Sequence, residues 1–359
     1  MWYLFLFNVI LLVSILFAFS TLSAEDVNFY SPGSDKEGFS IASPLSSIRF
    51  KDLVFVVFVI LLICISAFRD GSVFADNEEY VDSIASGSDR FEITWDVICR
   101  LGRSLGSPVV GVFLIYAIIG IASKSIAIFS MSSWPWLSLA VYASHFYVLQ
   151  DCVQIRAGAA SGLMLFALYF WSQNEKLKWL LFTLMAVLFQ YSFIIALLIP
   201  LIDRVPLSSK FWFLLLFGAY VFFFLSLDIS FIFRFVGLDI YTDYYSHYLL
   251  NENKVQVINM TQLLYTALAL YMLYNHEYFS QVDRMASMWI KLFVISLCFL
   301  PVFSNIPVFA YRGSQIFGVV EIFVIPLFLS YKMSGVSIAF VVVFLLYSLN
   351  TQIFRCIAL

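Results

Sequence analysis

Long apolar runs alternate with short polar breaks along this chain. The runs fall near 2–21, 53–68, 108–122, 133–150, 155–172, 179–202, 211–227, 261–275, 286–303, 315–330 and 335–349. A straight helical crossing of a bilayer needs about 20 mostly apolar residues. The run 53–68 is short and reads as tilted or interfacial. With one half-crossing allowed, the pattern predicts about 10–12 transmembrane helices. The first run, beginning at Trp2, lacks a positive n-region and is too long for an h-region. It is expected to be a retained helix, not a cleaved signal.

Composition agrees with this pattern. Hydrophobic residues make up 62% of the 359 and charged residues 12%, with a mean hydropathy of +0.93. Soluble domains carry about 25% charged residues. The expected fold class is therefore an all-α polytopic integral membrane protein. One transmembrane domain spans 1–359, with long extramembrane loops at about 23–52, 69–107 and 228–259. Trp134, Trp136, Tyr169, Trp171, Trp179 and Trp212 crowd the run ends, as interfacial belts do. A net charge of −3 and the lack of a basic stripe point away from nucleic acid. The five cysteines show no paired spacing, so neither a disulfide framework nor a metal cluster is expected.

Orientation follows from Lys and Arg in short loops. Lys36, Arg49 and Lys51, then Lys124, then Lys176 and Lys178 read as cytoplasmic. That places the acidic loop and Arg156 outside. In the second half, Arg284 and Lys332 read as cytoplasmic, which puts 228–259 and Arg312 outside. The halves disagree by one crossing between 178 and 227, where Arg204 and Lys210 add to the conflict. A re-entrant or half-crossing run there would remove it.

The main chemical candidate is the stretch Asp151-Cys152-Val153-Gln154-Ile155-Arg156, followed by small residues from Ala157 to Gly162. Arginine is permanently charged and grips phosphate oxygens with two parallel hydrogen bonds. A snorkelling arginine above a tightly packed helix is the competing reading. If helix continues through 142–156, Tyr147 and Asp151 share a face, as do Gln150 and Gln154. In the acidic loop, Arg69, Asp76 and Tyr80 are spaced as Arg-x6-Asp-x3-Tyr. A carboxylate there suits a general base or a sugar contact, against the alternative of a solvated loop.

Further along, Gln190-Tyr191-Ser192 interrupts an apolar run and reads as a cavity lining or a helix–helix contact. Tyr244 and His247, with their neighbouring tyrosines, read as a sugar-stacking cluster or an interfacial helix. Glu321, nine residues after Arg312, is expected to pair with an arginine, Arg156 first and Arg312 second, because an unpaired carboxylate in lipid is costly. No nucleotide-binding, zinc-protease or nucleophile-elbow motif is present.

In order, these features resemble the EpsG-like family of Wzy-type polysaccharide polymerases, which includes O-antigen polymerases. The carrying residues are Phe68-Arg69 with Asp76 and Tyr80, then Gln154 to Ala160, then Asn174 to Lys178. Phe189 to Ala196 follow, then Tyr311-Arg312 with Glu321 and Pro326. The chain departs from the family pattern at Asn77, where tyrosine is usual, at Ala157, where glutamine is usual, and at Gln190, where histidine is usual.

The resemblance implies metal-independent, cofactor-free, inverting glycosyl transfer at the periplasmic side of a bacterial inner membrane. The donor is a glycan on undecaprenyl diphosphate and the acceptor a repeat unit on the same lipid. It also implies a GT-C-like arrangement of the helices, with membrane lipids and a chain-length regulator as partners. On that basis Arg156 and Arg312, with Arg69 third, are expected to stabilise diphosphate. Asp76, then Glu321, is expected as general base. Tyr80, Asp151, Gln154, Gln190, Tyr191, Tyr244 and His247 are expected to bind substrate. A lipid-linked oligosaccharide flippase and an O-antigen ligase are the competing functions.

Overall fold

The computed structural model describes residues 2–20, 50–70, 74, 76–86, 91–227, 255–331 and 335–356. Tyr244 and His247 lie outside the described residues, as do Lys36, Arg49 and Lys332. The protein is an all-α polytopic membrane protein. Its chain forms two compact units, one of Met1–Ile194 with Lys332–Leu359 and one of Ile195–Tyr331.

The first unit begins with α1 (Trp2–Ser20) and α2 (Phe50–Ala67). The loop after α2 folds into two short helices, α3 (Asn77–Ser86) and α4 (Ile93–Ser104). α4 buries Trp95, Ile98, Cys99 and Gly102 and exposes Ile93, Val97 and Leu101, one helical turn apart. Next come α5 (Pro108–Ala117), a π-helical turn at Ile118–Ala122, and α6 (Ser123–Met131), which run on as one helix of 24 residues. α7 (Pro135–Val141) continues into a π-helix at Tyr142–Val153. Gln154 breaks the helix at φ −90°, ψ 60°, and α8 (Ile155–Ser172) starts immediately after it. A turn through Asn174, at φ 60°, returns the chain as α9 (Lys176–Phe189) against α8. The closing helix, Gly335–Cys356, packs on the π-helix.

Two expectations change here. Lys124 is not in a loop. It lies inside the helix Pro108–Met131 and is fully buried, so it cannot report orientation, which is read from loop charges. Nor does an α-helix run through 142–156. A π-helix closes its hydrogen-bonded rings one residue later than an α-helix, which changes which side chains share a face.

The run 179–202 is cut at Gln190, whose backbone is extended. An eight-residue 3₁₀ stretch, Tyr191–Leu198, follows, then α10 (Ile199–Arg204). A 3₁₀ run longer than about 3–4 residues is uncommon. This break falls in the region where the loop charges conflict.

The second unit continues with α11 (Ser209–Phe224), α12 (Met260–Tyr274), α13 (His276–Val282) and α14 (Ala286–Val302). It ends with α15 (Pro307–Gly318) and α16 (Glu321–Tyr331). α14 is the central helix, contacted by α11, α12, α15 and α16. α15 and α16 are bent by 50° at the break between them. Arg312 and Glu321 therefore lie on separate helices, not on one.

Among the described residues, three helices are long and apolar enough to cross a membrane unbroken, or four if the bent pair forms one span. Leu6–Ala18, Lys210–Phe224 and Ala286–Val302 are shorter apolar helices that account for further apolar runs.

The small residues after Arg156 serve close helix packing. A Cβ on Gly158 would lie 2.3 Å from the Gln150 carbonyl oxygen, and one on Gly162 would lie 2.5 Å from that of Gly120. Both obstacles are backbone. Gly158→Ala should therefore destabilise the protein by about 1–3 kcal/mol through overpacking. Thermal melting in detergent measures this, and an unchanged midpoint would contradict the packing assignment.

Candidate functional site

The loop after α2 is folded around Arg69. Its buried guanidinium donates through Nη1 to the Ser66 carbonyl at 2.6 Å and through Nη2 to Asn77 Oδ1 at 3.4 Å. It also sits 3.7 Å from the centroid of the Phe113 ring. Arg69 thus ties the end of α2 to α3 and α5. Asn77 supplies one acceptor for this clamp.

Asp76 adopts the left-handed backbone at φ 62°, a region in which Asp is enriched among non-glycine residues. Its carbonyl accepts from Tyr80 N–H at 3.3 Å, and its side chain is exposed. Tyr80 is buried between Phe91, at 5.7 Å between ring centroids, and Trp95, at 5.4 Å. Burial pushes the Tyr80 phenol above its ordinary value, and the nearby Arg156 guanidinium draws it back down.

Arg156 meets this loop from the first turn of α8. It forms an ion pair with Glu92 through Nη1, with side-chain exposures of 16% and 7%. Its guanidinium lies 4.0 Å from the Phe91 ring centroid and 5.9 Å from that of Tyr80. The consecutive residues Phe91 and Glu92 therefore hold one face and one edge of the same group. Arg156 Nε is buried and has no hydrogen-bond partner among the described residues.

The loop is braced on both sides. Trp95 Nε1 donates to Ser83 Oγ at 3.0 Å, and Thr94 Oγ1 donates to the Leu188 carbonyl at 2.9 Å. The second bond anchors α4 near the end of α9, where Gln190 is buried. Glu92 escapes a motif search. Its available signal was an acidic residue directly before an amphipathic run, where acids favour a helix start. Its side chain does not cap α4; it turns to Arg156 instead.

Asp151 occupies a different setting from the one expected of a substrate ligand. It pairs with Lys124 at 2.6 Å, and both side chains are sealed, at 1% and 0% exposure. Tyr142 Oη donates to the same carboxylate oxygen at 2.7 Å, and Ser66 Oγ donates to the Asp151 carbonyl. These contacts assign Asp151 to holding helices together. At about 100° per residue, nine residues of α-helix would put Tyr142 and Asp151 on opposite faces. The wider π-helix brings them round to one. Gln150 accepts from Ser161 Oγ at 2.8 Å, while Gln154 sits half-buried at the break.

In the second unit, Glu321 is buried and accepts a hydrogen bond from Tyr265 Oη. Arg156 pairs with Glu92, and Glu321 takes a phenolic donor from its own unit. Tyr311 and Arg312 are exposed on α15. Tyr191, in the first unit, is 52% exposed and so open to a ligand. Lys291, buried in α14, donates to the Asp203 carbonyl at 3.0 Å.

The order of these pieces along the chain is matched as a whole by one family model, that of the EpsG family, over residues 52–357. The chain belongs to the EpsG family. The match covers the Arg69 clamp, the Arg156 pair and the second unit. EpsG-family chains are Wzy-like, polymerase-type membrane proteins. No curated protein and no solved structure shows a significant match.

In this EpsG-family chain, Gln190 is buried and its backbone ends α9. Gln190 N–H donates to the Ala186 carbonyl and its own carbonyl accepts from Phe193 N–H, each at 3.0 Å. The residue marks the helix break.

The Lys124–Asp151 pair gives a direct test of the structural assignment. Removing one partner of a buried pair costs about 3–5 kcal/mol, because the other charge is left uncompensated. Asp151→Asn should lower the melting temperature strongly, and Lys124→Met with Asp151→Asn should lose less than the sum of the single changes. Additive losses in this double-mutant cycle would remove the coupling.

Proposed function

We propose that this EpsG-family chain is a polysaccharide polymerase. It transfers a growing glycan from undecaprenyl diphosphate to a repeat unit carried on the same lipid, with inversion at the anomeric carbon. The reaction takes place on the periplasmic side of a bacterial inner membrane. The observation that carries this reading is Arg156. It stands in the first turn of α8, is held by Phe91 and Glu92, and keeps Nε without a hydrogen-bond partner among the described residues.

Glycosyl transfer from a lipid diphosphate develops negative charge on the phosphate oxygens. A fixed guanidinium in a low-dielectric site stabilises that charge, and so does a helix N-terminus. Arg156 combines both. Arg312 is the second proposed diphosphate group, and Asp76 and Glu321 are the carboxylates proposed from the family pattern as general base. Arg69 acts on the site by holding the loop that carries Asp76, Tyr80 and Glu92. Tyr80, Gln154, Gln190 and Tyr191 are proposed to border the saccharide, with Tyr244 and His247. The chemistry draws its energy from the diphosphate leaving group, without a metal or cofactor. Membrane lipids and a chain-length regulator are the proposed partners.

A flippase or a ligase would also need arginines for a diphosphate. Deleting the protein separates the three functions. Loss of a polymerase leaves one repeat unit attached to the core, whereas loss of a flippase or a ligase leaves no attached glycan. Full-length chains in the deletion strain would end the polymerase reading.

Arg156→Lys keeps the charge but removes the planar fork. We expect turnover to fall by about 10²-fold or more, with membrane insertion unchanged. Wild-type glycan length on electrophoresis of this variant would sink the diphosphate role.

A further inference from the structure

We propose that α4 is a membrane-surface helix. It lays Ile93, Val97, Leu101 and Leu105 into the bilayer and sets Arg100 and Arg103 on the phosphates of anionic phospholipids. The part of the loop over 69–107 that carries α4 then belongs to the lipid boundary and not to the aqueous phase, whatever reaction the chain performs.

The helix is divided into three sectors. At about 100° per residue, Trp95, Ile98, Cys99 and Gly102 fall on one side, and all four are buried. Ile93, Val97 and Leu101 form a second stripe, which Leu105 continues just past the last turn. Each of these four is more than half exposed. Arg100 and Arg103 are exposed on the third sector, where Asp96 is half-buried. A soluble helix needs only two sectors, one for the core and one for water. A second apolar stripe beside cationic residues is the pattern of a helix lying in a membrane interface.

The packing of α4 fixes its depth. A Cβ on Gly102 would lie 2.7 Å from Val112 Cγ2 and 3.0 Å from the Pro108 carbonyl oxygen, and one on Gly111 would lie 2.6 Å from the Gly102 carbonyl oxygen. The end of α4 is therefore seated directly on the first turn of Pro108–Met131, a helix long and apolar enough to cross a membrane. Its beginning is held by the bond from Thr94 to the Leu188 carbonyl, in the last turn of α9. Leu181, Leu184 and Leu188 are exposed along α9, as leucines facing lipid are. The apolar stripe of α4 thus starts where a lipid-facing surface ends. Glu92 directly precedes α4 and pairs with Arg156, so a docked α4 also sets the depth of that guanidinium.

Charge selects the occupant. The exposed acids of the same loop, Glu78, Glu79 and Asp82, are on α3, whereas the exposed charges of α4 are the two arginines. The loop therefore keeps its negative charge off the helix that meets the membrane. Arginines beside an inserted apolar face bind anionic headgroups, and this attraction adds to the burial of the apolar stripe.

Photocrosslinking of the full-length protein tests the assignment. A benzophenone amino acid replaces Val97, or Leu101 if the first variant is poorly folded, and mass spectrometry identifies what it captures. In native membranes we expect phospholipid adducts. Adducts to polypeptide, from this chain or another, would make the stripe a protein contact, and adducts to neither would leave it in water; both results overturn the proposal. The purified protein is then irradiated in vesicles of phosphatidylcholine and phosphatidylglycerol in equal parts. An arginine near the surface favours an anionic lipid by about fivefold, so phosphatidylglycerol adducts should exceed phosphatidylcholine adducts by at least that factor. Arg100→Gln with Arg103→Gln should bring the ratio close to one while the melting temperature stays unchanged, since both side chains are exposed. A ratio near one in the parent protein, or a preference that survives in the double variant, overturns the role of the two arginines.

Discussion

The first unit depends on neutralising one charge where no water reaches it. Asp151 is sealed inside the helices, and an isolated carboxylate in such a place would carry a prohibitive solvation penalty. Lys124 removes the charge, and the Tyr142 hydroxyl adds a second donor. The local backbone is organised to make this possible. Gly120 sits in the π-helical turn of Ile118–Ala122, and a Cβ there would meet Asp151 Oδ1 at 2.7 Å. The π-helix of Tyr142–Val153 brings Tyr142 and Asp151 to one face. Gly158 and Gly162 then allow α8 to lie against the same helices.

Arg156 gets its position from that arrangement. The break at Gln154 ends the π-helix and restarts the chain as α8, so Arg156 falls in a first turn, where peptide N–H groups already favour anions. Asp151 precedes Arg156 by a few residues, and each ion pair has its own work. Lys124 and Asp151 lock the scaffold. Arg156 and Glu92 join that scaffold to the loop built on α3 and α4. Arg69 performs the corresponding task at the other end of the loop through Ser66, Asn77 and Phe113.

The second unit handles its buried carboxylate differently. Glu321 takes a phenolic donor from Tyr265 on a neighbouring helix of the same unit. Its position at the start of α16, past the break after α15, separates it from Arg312. A count of residues along one ideal helix could not show this, because the 50° bend removes the shared axis.

Much of this was legible in the residues alone. The apolar runs and the scarcity of charge require a helical membrane protein, because lipid leaves backbone groups no partner outside their own helix. The polar interruption around Arg156, the Arg69–Tyr80 loop and the polar residues Gln190-Tyr191-Ser192 are also visible as departures from apolar periodicity. The partners of the charges are not visible. Lys124 and Asp151 are 27 residues apart, Tyr265 and Glu321 56, and Glu92 and Arg156 64. Local pattern carries no information over such separations. Lys124 thus looked like a loop charge, and Asp151 like a ligand. Glu92 belongs to no recognisable motif. Which polar residue neutralises which is decided only when the helices pack, because the cost of a buried charge depends on what lies beside it in space.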